Sequence, residues 1–183
     1  MTNIRRINLF AGAGAGKSTL AHRLVGDLKS QGLNCELVRE AAKPYAYKKL
    51  PIKPWQHLEL FSKQIKWELE FLDNGVDLVV CECPSMLCCI YGRINKFKDS
   101  LQLEEINDDY EIDYSSVNIL LERNKDLKYN SEGRFQDYKQ ALEIDTIIEK
   151  YVHSEFLDAL LRYKVGDDSS YHKLLNNLGG KLV

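Results

Sequence analysis

The chain has 183 residues, of which 44% are hydrophobic and 28% are charged, and its formal net charge is −2. These values are typical of a globular domain, and they exclude a disordered chain or a broadly basic nucleic-acid-binding protein. The length predicts a single domain over residues 1–183. No apolar run is long enough to span a membrane and no signal peptide is evident, so we expect a cytoplasmic protein with no membrane partner.

The five cysteines are odd in number, and four of them lie in the apolar stretch VVCECPSMLCC. An odd, clustered set does not indicate the disulfide framework of a small secreted protein. Its spacing is also wrong for a zinc ribbon, and no histidine lies nearby. We therefore expect reduced, mostly buried thiols.

The first third of the chain alternates strand and helix patterns. Residues 4–10 predict a short buried strand, residues 18–28 a helix, and Cys35-Glu36-Leu37-Val38 a second strand. A helix between two strands is typical of the crossover connection in a parallel sheet.

The middle of the chain predicts one long helix and a central strand. Residues 55–72 carry apolar side chains every three or four positions, and residues 76–81 form a run that is apolar except for Asp77. Residues 92–115 are polar and acidic. We expect this last segment to be a surface excursion whose acidic side chains face solvent.

The last third completes the fold. Residues 117–121 predict a fourth strand, residues 138–163 a helix, and residues 162–165 a short fifth strand before a C-terminal helix that ends near residue 180. The pattern predicts an α/β P-loop NTPase fold, with a parallel sheet of about five strands flanked by helices. The polar segment 124–137 is expected to form a lid over the site.

A glycine-rich segment, LFAGAGAGKSTL, joins the first strand to the first helix. Its Gly-Lys-Ser follows the P-loop pattern, except that Ala11 stands where the pattern has its first glycine. In such a loop successive backbone N–H groups converge on phosphate oxygens at a helix N-terminus. We expect ATP to be bound by Gly12, Ala13, Gly14, Ala15, Gly16, Lys17, Ser18 and Thr19.

Two side chains of this loop have specific expected roles. Lys17 would reach the β- and γ-phosphates, and the Ser18 hydroxyl would bind Mg²⁺. The cost of Ala11 depends on whether its backbone needs a positive φ. A turn that binds nothing is the weaker alternative, and a Rossmann turn is excluded because G-x-G-x-x-G does not occur.

A P-loop also needs a carboxylate at the end of a neighbouring strand to hold Mg²⁺ or its water. Glu82 follows the third predicted strand directly and is the candidate. Because glutamate is longer than the usual aspartate, contact through water is an open alternative to direct contact. The other alternative is an acid that simply faces solvent.

One arginine directly precedes the predicted lid and a second lies within it. Arg123 and Arg134 are candidate clamps for transition-state charge, since a guanidinium binds two phosphate oxygens at once. Ordinary surface arginines are the alternative. The glycine-containing, basic lid and the lack of an N-K-x-D element favour a kinase over a switch or ATPase subunit whose acceptor is water.

The acceptor side is predicted around Glu40, which follows the second strand. If the acceptor is a hydroxyl, Glu40 can take its proton, so we regard it as catalytic together with Lys17 and the two arginines. An acid that merely begins a helix is the alternative.

Four segments, FAGAGAGKSTL, ELVREAAK, DLVVCECPS and LERNKDLKYNSEGRFQDYKQALEID, together resemble small P-loop kinases. The resemblance is to the group of nicotinamide riboside kinase and thymidylate kinase, especially its phage-encoded members, over residues 4–165. In that group an acid after strand two lies at the acceptor, Asp-Ser-Pro follows strand three, and Gly-Arg-x-Gln lies in the lid. This chain has Glu40, Glu82-Cys83-Pro84 and Gly133-Arg134-Phe135-Gln136 there.

Some phage members of this group are 5-hydroxymethyluridine DNA kinases, and the resemblance implies that DNA containing this base is the partner. In that case the protein would work in the host cytoplasm, in thymidine hypermodification. Residues 39–66 contain seven lysines and arginines against Glu40 and Glu59, with Tyr45, Tyr47 and Trp55 between them. Such a segment could attract a phosphate-rich acceptor and stack on a base, although a solvated helix surface is an equal alternative. A free nucleoside, nicotinamide riboside or nucleoside monophosphate is the alternative acceptor.

Overall fold

A computed structural model describes residues 4–182, without the side chains of residues 158 and 182. Its centre is one parallel sheet. The strands are β1 (Arg6–Phe10), β2 (Cys35–Val38), β3 (Leu78–Cys81), β4 (Ser116–Glu122) and β5 (Leu161–Lys164). Their order across the sheet is β2-β3-β1-β4-β5. The predicted α/β fold with about five parallel strands is thereby confirmed.

Helices cover both faces of this sheet. They are α1 (Lys17–Ser30), α2 (Lys43–Tyr47), α3 (Gln56–Leu72), α4 (Ser85–Ile94), α5 (Ser100–Asp113), α6 (Tyr138–Phe156) and α7 (Asp168–Leu182). One turn of 3-10 helix, Leu157–Ala159, links α6 to β5. Among residues 4–182, no helix is both long and apolar enough to cross a membrane.

Alternate residues of β1 feed two separate cores, as the two-residue period of a strand requires. Ile7 and Leu9 pack with α1 and α7 on one face. Phe10 packs with α4 and α6 on the other face. Because the strands are parallel, all five end at the same edge of the sheet, where the loop after β1 lies.

A buried ion pair secures the opposite edge of the sheet. The Arg6 side chain is fully buried, and its Nη1 donates to Glu68 Oε2 at 2.9 Å. The Tyr110 hydroxyl donates to the same carboxylate oxygen at 3.1 Å. Burial raises the pKa of Glu68, and the Arg6 charge opposes that shift. The pair therefore ties α3 and α5 to the start of β1, away from the loop that follows this strand.

The expected surface excursion at residues 92–115 is wrong, because most of this segment is the helix α5 packed against α4. Its buried side chains include Leu103, Glu104 and Tyr110. Glu104 forms an ion pair with Arg93 of α4 instead of facing water. Other acidic side chains of this segment, such as Glu105, do face solvent, so the expectation of solvent-exposed acids holds for only part of it.

The end of the predicted helix at residues 138–163 is also corrected. Helix α6 stops at Phe156, and the chain then turns through Leu157, whose φ is +40°, into β5. The start of this helix has a strong cap, since the Asp137 side chain accepts a hydrogen bond from the Gln140 N–H and the Gln140 side chain bonds back to Asp137.

Candidate phosphate-binding and acceptor site

The loop between β1 and α1 has the backbone that a phosphate cradle requires. Gly14 and Gly16 have φ of +71° and +101°, a region in which residues with a Cβ are strained. The φ of Ala11 is not positive and its methyl group is buried, so alanine costs this loop no backbone strain. The N-terminus of α1 points at the loop, and its first turn carries no acidic residue to compete with an anion.

Gly12 is required for a different reason, namely the close approach of α6. Its N–H donates to Asp145 Oδ1 at 2.7 Å. A Cβ at Gly12 would lie 2.7 Å from the same oxygen and 3.0 Å from the Ala141 carbonyl oxygen. Asp145 thus holds the first turn of the loop against α6.

We expect Gly12→Ala to destabilise the protein by about 1–3 kcal/mol, because the added carbon overpacks this contact. Gly26→Ala is the matched control: nothing lies within 4 Å of its Cβ position inside α1, so it should stabilise by about 0.5–1 kcal/mol. Urea denaturation of both variants measures the difference. Equal stabilities would show that the loop does not depend on the contact with Asp145.

Lys17 lies over its own loop. Its ammonium group donates to the carbonyl oxygens of Ala11 at 2.7 Å and Gly12 at 3.1 Å, and the residue is buried. A positive charge held at this point, beside the backbone N–H groups of the loop, creates a strong local preference for an anion. To bind a phosphate oxygen the ammonium group would exchange these carbonyls for the ligand.

Ser18 and Glu82 meet at the mouth of the loop. The Ser18 hydroxyl donates to Glu82 Oε1, and Glu82 is buried although it carries a carboxylate. Within residues 4–182, no group of three or more His, Cys, Asp or Glu side chains could hold a metal. The Ser18 hydroxyl and the Glu82 carboxylate are oxygen ligands of the kind that suits Mg²⁺, which takes few protein ligands and fills its shell with phosphate oxygens and water.

Arg123 lies at the end of β4 and binds the loop itself. Its Nε donates to Asp145 Oδ2 at 2.5 Å, and its Nη2 donates to the Ala13 carbonyl oxygen at 2.7 Å. The Arg123 side chain is 6% exposed and that of Asp145 is 23% exposed, so the charge of Arg123 is nearly buried and Asp145 is half-buried. Arg123 thus links the loop to Asp145 of α6. Its role as a clamp on the transferring phosphate remains a prediction.

We expect Asp145→Ala to cost about 2–3 kcal/mol of stability, because it leaves the nearly buried Arg123 charge and the Gly12 N–H without their partner. Glu149→Ala is the matched control on the next turn of α6. Glu149 pairs with Arg162 in the open, at 50% and 43% side-chain exposure, so its loss should cost less than about 1 kcal/mol. Chemical denaturation would contradict this account if the two variants lost the same stability.

The segment between β4 and α6 covers the loop from above. A Cβ on Gly14 would lie 2.7 Å from the Tyr129 ring and 3.0 Å from Arg134 Nε, so both side chains rest on the cradle. Tyr129 is fixed by its hydroxyl, which donates to the Gln136 carbonyl oxygen at 2.7 Å. Arg134 Nη1 is buried and has no hydrogen-bond partner in the described part of the chain. This unused donor points to an anionic ligand that the loop and this segment would share.

A single cavity of about 710 Å³ runs from this cradle to the acceptor side. Its polar end is formed by the loop, Glu82 and Arg134. Its other end is walled by residues of α2, α3 and α4 and by the linker between α2 and α3. They are Ala42, Lys43, Ala46, Pro51, Ile52, His57, Leu60, Cys88, Tyr91 and Asn95. The volume is in the range that holds one or more small organic ligands.

Glu40 also lines this cavity and lies two residues beyond β2. Its expected role at an acceptor stays a prediction. Burial raises the pKa of the Tyr91 hydroxyl well above its usual range, and the nearby Glu40 charge raises it further. A hydrogen bond with Cys88, together with burial, raises the pKa of the Cys83 thiol, and Glu40 adds to that shift as well. Tyr91 and Cys83 are therefore uncharged side chains near the carboxylate of Glu40.

Several side chains of this site were not predicted from the sequence. Asp145 sits in an ordinary amphipathic helix pattern, and only its contact with Gly12 reveals its role. Tyr129 belongs to a polar stretch with no periodicity. His57 and Asn95 lie 38 residues apart and meet only in the folded chain.

Among comparisons with known proteins, only those with solved structures give matches, and they concern the fold. No family model and no curated protein sequence matches the chain. Solved structures do match. The NadR protein in complex with NAD and AMP-PNP has a TM-score of 0.67 at 14% identity, over 98% of this chain and 50% of that one. The NadR protein with NR gives 0.62 at 15% identity, over 96% and 49%.

A third match is deoxyadenosine kinase from M. mycoides, with the products dcmp and dcdp, which has a TM-score of 0.58 at 15% identity. It covers 96% of this chain and 99% of that one. The chain has the P-loop NTPase fold. It spans about half the length of the NadR chains. At these identities the likeness establishes the architecture around the loop after β1, and the chemistry has to be argued from the site.

Proposed function

We propose that the chain is an ATP- and Mg²⁺-dependent kinase that transfers the γ-phosphate to a nucleoside-type hydroxyl, with 5-hydroxymethyluridine in DNA as the preferred acceptor. The observation that carries the proposal is one continuous cavity, with the phosphate cradle at one end, a second end walled by α2, α3 and α4, and Glu40 in its lining. A switch or an ATPase subunit that uses water needs the first end of this cavity but not the second.

The transfer step follows from the positions of these groups. The acceptor hydroxyl oxygen bonds to the γ-phosphorus while the bond from that phosphorus to the β,γ-bridging oxygen breaks, so that ADP leaves. Glu40 takes the proton of the hydroxyl. Lys17 and Arg134 stabilise the charge of the transferring group, and the loop N–H groups hold the β-phosphate. The Tyr129 ring, which lies on Gly14, keeps water from the reacting oxygens.

Ser18 and Glu82 would hold Mg²⁺ in this proposal. When bound, Mg²⁺ neutralises the charge on the β- and γ-phosphate oxygens. The buried Glu82 carboxylate already contacts the Ser18 hydroxyl, so the two oxygen ligands are assembled at the edge of the loop.

The kinase class is supported by the similar structures. One of them is named as a deoxyadenosine kinase, and another contains NR. Both names refer to nucleoside chemistry at the same architecture. They support a nucleoside-type acceptor here, and a free nucleoside, NR or a nucleoside monophosphate is the alternative to a base within DNA.

DNA as acceptor is supported by the surface at the open end of the cavity. Tyr47 and Trp55 are 60% and 66% exposed, and three exposed lysines, Lys48, Lys49 and Lys53, lie between them. Lys53 Nζ lies 5.3 Å from the centre of the Trp55 ring. Exposed aromatic rings beside cations suit a nucleic-acid strand, whose phosphates and bases they contact together. Pro51 and Ile52 of the same linker line the cavity, so a base extruded from a strand on this surface could enter it.

The test is transfer of labelled γ-phosphate from ATP to a panel of acceptors. The panel contains an oligonucleotide with one 5-hydroxymethyluridine, the same oligonucleotide with thymidine, free 5-hydroxymethyluridine, NR and deoxynucleoside monophosphates. We expect label in the modified oligonucleotide and not in its thymidine counterpart. Exclusive labelling of a free nucleoside or nucleotide would overturn DNA as the acceptor, and phosphate release without any labelled acceptor would overturn the kinase.

A further inference from the structure

One face of α4 forms a wall of the cavity and ends in a carboxamide. Cys88, Tyr91 and Asn95 are three and four residues apart, which places them on one side of the helix. Tyr91 lines the cavity together with Glu40 and precedes Asn95 by about one helical turn. The ring of an acceptor substrate that presents its hydroxyl to Glu40 and lies along this face of α4 therefore extends toward Asn95.

Asn95 is held by a buried histidine. His57 of α3 is 3% exposed, lines the same cavity, and has its Nε2 3.2 Å from Asn95 Nδ2. In the neutral tautomer that carries its hydrogen on Nδ1, the imidazole accepts the Asn95 N–H at Nε2. Burial lowers the pKa of His57, which favours this neutral form. The ring is also stacked on Phe97, with centroids 5.9 Å apart.

The rest of the Asn95 carboxamide is available to a ligand. Across the described residues, the contact with His57 is the only hydrogen bond of this side chain. With His57 in this tautomer the orientation of the carboxamide is set, because a flipped amide would place its oxygen against the lone pair of Nε2. The carbonyl oxygen and the second N–H hydrogen remain, one acceptor and one donor side by side.

We infer that the Asn95 carboxamide, positioned by His57, reads the ring edge of the acceptor and selects a uracil-type over a cytosine-type base. This inference rests on the proposed function. A uracil-type ring has a donor at N3 between two carbonyl acceptors, so the Asn95 oxygen can accept from N3 while its N–H donates to a ring carbonyl. A cytosine-type ring has an unprotonated N3, which would face the Asn95 oxygen lone pair to lone pair.

The test compares two oligonucleotides that carry the same nucleophile, 5-hydroxymethyluridine in one and 5-hydroxymethylcytidine in the other. We expect the unaltered protein to prefer the first by about tenfold or more in kcat/KM, the size of discrimination by one bidentate contact. Asn95→Ala should abolish the preference, mainly by raising KM for the uridine substrate. Asn95→Asp, which has lost the donor and can accept from the cytosine amino group, should shift the preference toward cytidine.

Asn74→Asp is the matched control. Asn74 also follows a helix, its side chain is bonded to the Glu70 carbonyl oxygen, and it does not line the cavity. We expect this variant to keep the uridine preference and the KM of the unaltered protein.

The positioning role of His57 needs its own pair of variants. His57→Phe keeps a ring to stack on Phe97 but has no acceptor for Asn95, so it should lose the base preference. His57→Gln, whose amide oxygen can accept, should restore part of it. If both variants fold by circular dichroism and both keep the full preference, His57 does not position Asn95.

The outcomes separate the inference from the proposed function. Transfer by the unaltered protein with a preference that survives Asn95→Ala overturns the inference alone. Absence of transfer to either oligonucleotide overturns DNA as the acceptor, and the inference with it.

Discussion

Replacing Lys17 by alanine is expected to lower phosphoryl transfer by about a hundredfold to a thousandfold, the usual cost of removing one preorganised charge from a transition state. Lys17 is buried, and its ammonium group is held at 2.7 Å and 3.1 Å from two carbonyl oxygens of the loop. In this position the ammonium group can follow the transferring phosphoryl group with a small movement. Initial rates of labelled transfer measure the effect.

Two controls accompany Lys17→Ala. Lys29→Ala removes an exposed lysine of the same helix, which pairs with Glu36 on the surface, and should leave the rate within a factor of two. Lys17→Arg keeps the charge but changes its shape, and it should recover only part of the activity because a guanidinium does not replace a compact ammonium group. Full activity in Lys17→Ala would contradict a phosphate role for the loop.

Glu40→Gln is expected to lower transfer by about 10²–10⁴-fold, the contribution of a well-placed general base, while the affinity for ATP stays unchanged. The variant is nearly isosteric, and Glu40 lines the cavity without belonging to the loop between β1 and α1. Transfer rates and nucleotide binding are measured on the same preparation. The split between them distinguishes a lost base from a damaged fold.

The matched control for Glu40→Gln is Glu59→Gln. Glu59 is an exposed acid of α3 whose carboxylate accepts a hydrogen bond from Tyr45 at 3.4 Å. Its loss should change transfer by less than a factor of two. If Glu40→Gln transferred phosphate at the full rate, another group would have to accept the proton.

The sequence predicts the phosphate loop well because a short contiguous pattern determines it. Gly14 and Gly16 show the positive φ that their residue type suggests, and helix α1 starts at Lys17, one residue before the predicted start. The sequence alone does not show what alanine at position 11 costs the loop, because that cost depends on a φ angle that only the fold determines. That angle turns out to suit alanine.

Segments with mixed polarity were predicted less well. Helix α5 contains acids on all sides, so its hydrophobic pattern is weak, and the burial of Glu104 depends on Arg93 of another helix. The same reason hides Arg6 and Glu68, which are polar residues inside the core. Pairing between residues distant in the chain is a tertiary property, and a single sequence does not reveal it.

The candidate site shows this limit most clearly at Arg123 and Arg134. The sequence suggests the same role for both, a guanidinium that binds phosphate, yet they occupy different environments. Arg123 is bonded to Asp145 and the loop, whereas Arg134 keeps an unpartnered Nη1 within the described residues. The sequence places both near the loop but does not show that only one is paired with a carboxylate.

In the proposed function, the cavity delivers phosphate to a second substrate and not to water. The most direct measurement follows ADP and phosphorylated acceptor together, with ATP, Mg²⁺ and the 5-hydroxymethyluridine oligonucleotide, and repeats the assay without the oligonucleotide. We expect one phosphorylated base for each ADP formed, and at least tenfold slower ADP formation when the acceptor is left out. ADP formation that proceeds equally fast without the acceptor, with inorganic phosphate as its product, would contradict the claim.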